Sequence, residues 1–255
     1  MALKTLTDIN DSIERIGTSR WLRPKLLHYA FASSGLICGT LFFIAFLASD
    51  FLPLLSPTWS PERTAEHYRK HQTGIHASSA IMMFAGTFFL PYTISISDQM
   101  RRIPNIPWIL PQLQIASGIA GTFGVFMPGM HLGVAGLRPD RSPELTELAN
   151  DTFWMYAIMP FQTFILQSWA WSYVIIIDNR PNPMYPKILA VINLFVPACF
   201  MFSVAVHGTL SGPFAWNGAL GFWFPLVTFG IQFIADSYFV LRAIRRDHLN
   251  EGEME

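Results

Sequence analysis

The chain has 255 residues and no net charge, with 17 basic and 17 acidic side chains. It is 51% hydrophobic and 15% aromatic but only 13% charged, about half the charged share of an ordinary soluble domain. Those values exclude long-range attraction of nucleic acid and argue against a water-soluble globule.

The N-terminal stretch 1–26 carries Lys4, Asp8, Asp11, Glu14, Arg15, Arg20, Arg23 and Lys25. It is too long and too mixed in charge for a cleavable signal peptide, so the first apolar run is expected to stay as an anchor. Six apolar runs follow, at 27–49, 75–97, 110–137, 152–177, 188–210 and 219–241. A helix needs about 20 such residues to cross a bilayer, and a soluble core would not require six runs of this length. The expected fold is therefore all-α: a polytopic membrane bundle of about six kinked transmembrane helices over 27–241. A cytoplasmic segment (1–26) precedes it and a short polar tail (242–255), expected to lack fixed structure, follows it.

Lys and Arg placement orients the bundle. With the N-terminus inside, Lys4, Arg15, Arg20, Arg23, Lys25, Arg101, Arg102, Arg180, Lys187, Arg242, Arg245 and Arg246 are cytoplasmic, and Arg63, Arg69, Lys70, Arg138 and Arg141 are outside. That 12 to 5 split favours cytoplasmic termini. The first outer loop, 50–74, contains "SPERTAEHYRKH", whose Ser-Pro-Glu start predicts a short surface helix. The second contains "RPDRSPELTELAND", with Ser142 as N-cap and Pro143 at the first helical position.

Five runs hold an interior proline: Pro91, Pro128, Pro160, Pro197 and Pro225. Each removes a helix hydrogen bond, and together they suggest a bundle that opens an internal space. Gly129 and Gly133 form a GxxxG pair, a signal for close helix packing. Cys38 and Cys199 fall mid-membrane and read as small apolar fillers rather than a disulfide or redox pair.

His67 and His71 are spaced i, i+4 and share a helix face. Glu66 precedes the first histidine instead of following it, so the zincin pattern is absent, and Arg69 and Lys70 intervene. A headgroup-level amphipathic collar and a loop-borne metal site both fit; no metal ligand is assigned. His76, His131 and His207 come from three different runs at similar depth. They could converge on copper, iron, zinc or haem, or each could bond a carbonyl freed by a proline. Asp151 opens the fourth run, and Gln162, eleven residues on, shares its face if the helix is continuous. Asp236 lies deeper, with Gln232 one turn away. An ionisable residue inside a membrane is a functional-site candidate by default. Aromatic residues crowd the fourth and sixth runs, Trp154 and Trp223 among them, and inward-facing rings would favour positive charge.

In size, polytopic hydropathy, scattered membrane acids and aromatic richness the chain resembles the small membrane-bound terpene cyclases of fungal meroterpenoid pathways. The resemblance is one of overall character, carried by no alignable motif. The best-known branch of those cyclases is drawn with seven spans where six are counted here. It implies a lyase or isomerase of secondary-metabolite biosynthesis that protonates an epoxide or alkene of a prenyl chain, cyclises the carbocation and then loses a proton. It also implies a lipophilic small-molecule partner and no metal or organic cofactor. On this view Asp151, Asp236, His131, His207 and His76 are the candidate catalytic residues, with Asp151 favoured as the acid. Gln162, Trp154, Trp223 and Gln232 are candidates for holding substrate. The physics is compatible: burial favours the uncharged form of a carboxyl, and a dry aromatic cavity spares a cation from water. Two alternatives stand beside it. One is a metal- or haem-bearing redox protein using the outer histidines, and the other is a non-enzymatic membrane protein. Transport fits least, because no inverted repeat is visible.

Overall fold

The computed structural model describes residues 2–19 and 22–252. Arg20, one of the basic residues that orient the bundle, and residues 253–255 lie outside the described residues. The chain is all-helical, with no strand among the described residues. In chain order the helices are α1 (Ala2–Gly17), α2 (Pro24–Ala48), α3 (Pro61–Lys70), α4 (Gln72–Arg101), α5 (Ile109–Gly121), α6 (Phe123–Gly136), α7 (Pro143–Ile158), α8 (Phe161–Ile177), α9 (Lys187–Phe195) and α10 (Phe224–Gly252). A 3-10 stretch (Pro197–Gly208) follows α9, and a π turn (Ala219–Trp223) leads into α10.

Five helical stretches among the described residues are long and apolar enough to cross a membrane: Pro24–Ala48, Gln72–Arg101, Ile109–Gly136, Lys187–Gly208 and Ala219–Arg246. The fourth expected run, 152–177, is divided. Met159 and Pro160 separate α7 from α8, because Pro160 supplies no N–H and its ring crowds the carbonyl of Tyr156 one turn back. Pro91 and Pro128 instead sit inside continuous helices. Pro197 starts the 3-10 stretch. The two predicted loop helices form as α3 and the start of α7; Ser60 caps α3 by accepting from the Arg63 amide.

One chain end adds a helix where the sequence assigns no structure, and the other departs from expectation. Residues 2–17 form a helix whose Leu6, Ile9, Ile13 and Ile16 lie three and four apart and are exposed. The C-terminal stretch continues α10 as far as Gly252 instead of losing structure, since Leu241, Ala243 and Ile244 carry good helix formers on past the last apolar run.

Helix α4 is the central post and packs against α2, α5, α6 and α10. Its contact with α6 is the one the GxxxG pair predicts. A Cβ at Gly129 would stand 2.8 Å from Met82 Cβ and from the Ser79 carbonyl oxygen, and the Ser79 hydroxyl donates to the Gly129 carbonyl at 2.7 Å.

Two apolar cores result. One, at the end that carries the 49–71 loop, centres on Phe46, Phe51, Phe153, Trp154 and Trp216. The loops there are tied by Trp216 Nε1 donating to the Leu55 carbonyl at 2.8 Å and Arg69 Nε to the Pro139 carbonyl at 2.8 Å. The second core, around Tyr92, Trp171, Tyr185 and Phe233, runs toward the opposite end. Arg180 there forks onto Asp178 with two 2.7 Å hydrogen bonds, and Lys187 Nζ caps the carbonyls of Ile175, Ile176 and Asp178 at the close of α8.

Candidate functional site: a buried carboxyl among aromatic rings

A polar cluster sits inside the second core, where side chains from α8, α9 and α10 form a chain of hydrogen bonds that ends on an acid of α10. Asn193 of α9 donates through Nδ2 to Asp236 Oδ1 at 2.7 Å. Gln232, one turn before Asp236, donates through Nε2 to Asn193 Oδ1 at 3.0 Å and to the Ser168 hydroxyl of α8 at 2.9 Å. A second pair of amides converges nearby on one hydroxyl: Gln167 and Gln114 donate to Thr93 Oγ1 at 2.7 and 3.2 Å. Polar groups at this depth hold one another because hydrocarbon offers no other partner. Asp236 forms no ion pair among the described residues, whereas the other buried acid, Asp178, is neutralised by Arg180.

A cavity of about 30 Å³ adjoins the Asp236 carboxyl. Phe89, Tyr92, Phe164, Trp171, Phe229 and Phe233 line it, with Asn193, Gln232, Ser168 and Gln167 on its polar side. The rings pack edge to face or tilted, with Tyr92 to Phe233 centroids 5.0 Å apart and Phe229 to Phe233 5.3 Å. Three buried polar atoms of the lining residues, the Tyr92 hydroxyl, Trp171 Nε1 and Gln232 Oε1, have no hydrogen-bond partner among the described residues. That volume takes one or two waters. It is far short of the chamber that five interior prolines suggest, because the six aromatic side chains fill the space the kinks provide.

The expected same-face pair of Asp236 and Gln232 therefore forms, while that of Asp151 and Gln162 does not. The break at Met159 and Pro160 interrupts the helix between them, and Gln162 is exposed. Asp151 lies half-buried on α7 beside Asn150, which is itself buried and accepts from the Tyr68 hydroxyl at 3.2 Å. Burial lifts the Asp151 carboxyl above the ordinary range, and the Asn150 amide partly offsets this.

The three outer histidines do not converge. His76 Nε2 meets the Gly136 carbonyl at 2.9 Å; His131 meets the Met127 carbonyl and stacks on Tyr156; His207 meets the Val204 carbonyl and is exposed. Each has a backbone carbonyl as partner: Gly136 at the end of α6 for His76, Met127 one turn back within α6 for His131, and Val204 near the end of the 3-10 stretch for His207. Trp154 is fully buried in the first core, stacked on Trp216 at 5.9 Å and remote from Asp236, and Trp223 is partly exposed on the π turn.

Sequence reasoning missed Asn193, Ser168 and Trp171. Asn193 carried a usable signal: it is a lone amide in the run "KILAVINLF", under the same membrane-depth argument that singles out Asp236. Comparison of the chain with family models, with curated proteins and with solved structures found no match.

Proposed function

We propose that the protein is an integral membrane enzyme that uses Asp236 as a general acid on a lipophilic, isoprenoid-like substrate. The observation that carries the proposal is a carboxyl buried without a basic partner, held by Asn193 and beside a cavity walled with aromatic rings. In the neutral form Asp236 delivers its proton to an alkene carbon or an epoxide oxygen. The π electrons of the chain then close the ring and leave a carbocation, which the ring faces stabilise without capturing it. Loss of a proton from carbon to the Asp236 carboxylate restores the acid, so product and substrate have equal mass. Two of the unmatched atoms, Trp171 Nε1 and Gln232 Oε1, suit an epoxide or hydroxyl oxygen. Because the resting cavity holds only water, substrate entry requires the Phe164, Phe229 and Phe233 side to part. The irregular 3-10 and π stretches flanking α10 are suited to such movement. The same proposal places both termini in the cytoplasm, from the 12 to 5 distribution of Lys and Arg.

The test is conversion of prenyl chains, with and without a terminal epoxide, by membranes containing the protein, followed as formation of a product of unchanged mass. Asp236→Asn keeps the shape and removes the transferable proton, so turnover should fall by about 10²–10⁴-fold with the amount of folded protein unchanged. Undiminished turnover in that variant, or no conversion of any chain by the wild type, overturns the proposal.

A further inference from the structure

We infer that Asp50, His67 and His71 form a binding site for a divalent first-row transition ion of the zinc type, at the end of the bundle that carries α3. One donor atom from each of the three lies within 4.8 Å of the others. His71 Nε2 and Asp50 Oδ2 are 3.4 Å apart, the edge of a tetrahedron whose bonds are about 2.0–2.1 Å. Two imidazole nitrogens and one carboxylate oxygen select zinc-like ions over the hard cations, which want all-oxygen shells. The fourth corner is left to water.

The elements hold this set in place. The i, i+4 spacing on α3 fixes the two imidazoles, whose rings stack with centroids 4.6 Å apart. Asp50 arrives from the other side of the loop, immediately after the C-cap Ser49 of α2, with φ at 56°. A non-glycine residue in that left-handed region is strained, and here the strain turns a carboxylate toward the histidines. The Ser49 carbonyl, 3.2 Å from His67 Nε2, borders the same space, and Phe51 and Trp59 pack the His67 ring.

The acid that completes the set is thus Asp50, seventeen positions before His67, and not the adjacent Glu66, which is exposed. Of the two basic residues between the histidines, Arg69 is drawn away to the Pro139 and Arg141 carbonyls. Lys70 is exposed, where solvent screens it. A bound ion would clamp the end of α2 to α3.

Untagged, EDTA-stripped protein in detergent, titrated with Zn²⁺ and with Co²⁺ as a visible-absorption probe, tests the site. The expected result is one ion per chain, no competition from Mg²⁺ or Ca²⁺, and an unfolding midpoint that rises with Zn²⁺. Asp50→Asn and His71→Ala should each weaken binding by at least about tenfold. His67→Gln, which keeps more of the ring's packing than alanine, should do the same. His76→Ala and His131→Ala should bind as the wild type does. Absence of stoichiometric binding, binding indifferent to the three substitutions, or loss on His131→Ala overturns the assignment.

Discussion

Asp178 and Asp236 are both acids buried in one helical molecule, and their partners set their roles apart. Asp178, at the end of α8, faces a bidentate guanidinium. The hydrogen bonds from Arg180, joined by the Met184 amide, hold its carboxyl down at about 2. A carboxyl depressed on folding stabilises the protein above its unfolded pKa and loses that contribution as the pH falls through the folded one. The Asp178–Arg180 pair should therefore contribute fully above about pH 4 and fade toward pH 2. Asp178→Asn should cost about 1–2 kcal/mol near neutrality. The gap between variant and wild type in unfolding midpoint should narrow at about pH 3; a constant gap would contradict the assignment. Asp236 is held by an amide and has no basic partner among the described residues, so the same Asp→Asn change should alter chemistry far more than folding. The sequence shows Asp236 and Gln232 as a pair because both lie on one helix at one turn's spacing. It does not show Asn193, which bonds the carboxyl from α9, or Ser168, which holds Gln232 from α8, because both act across helix contacts that no local spacing encodes. Asp50 and His71 are hidden for the same reason, being joined by a loop whose path the composition does not fix.

At the scale of single elements, helix starts are the most legible feature: Ser60-Pro61 and Ser142-Pro143 both open helices, Ser60 through a side-chain cap and Pro143 through its preset φ. Prolines were legible only in part. Pro160 ends a helix, Pro128 rides inside one and Pro197 begins a 3-10 stretch. The difference is set by which neighbours can donate to the freed carbonyls, a tertiary fact. The apolar stripe of α1, at positions 6, 9, 13 and 16, was present in the sequence, but mixed charge masked its period. The glycine seam of α6 was read correctly as packing. Gly129→Val should therefore force α4 and α6 apart, costing about 1–3 kcal/mol. This is measurable as a lower unfolding midpoint in detergent, while Gly17→Ala, with open space around it, should leave the midpoint almost unmoved. Equal effects at the two positions would contradict the close approach.

For the whole molecule, the proposed orientation makes opposite forecasts for two places. A reporter fused to the C-terminal tail should stay on the cytoplasmic side, and one inserted at 138–142 should be translocated. Finding both on one side would refute the orientation, though not the helix packing. The break at Met159 and Pro160 carries a consequence of its own. With 17 residues, α8 reaches only about 25 Å, less than a hydrocarbon core of about 30 Å. A rod that short meets the bilayer through mismatch: lipids beside it compress, headgroups dip toward the break, and shorter acyl chains gather there. If α8 makes the additional crossing that the proposed orientation requires beside the five long spans, it would dimple the membrane next to α5 and α9, its packing neighbours, and the protein as a whole would partition toward the thinner of the bilayers open to it.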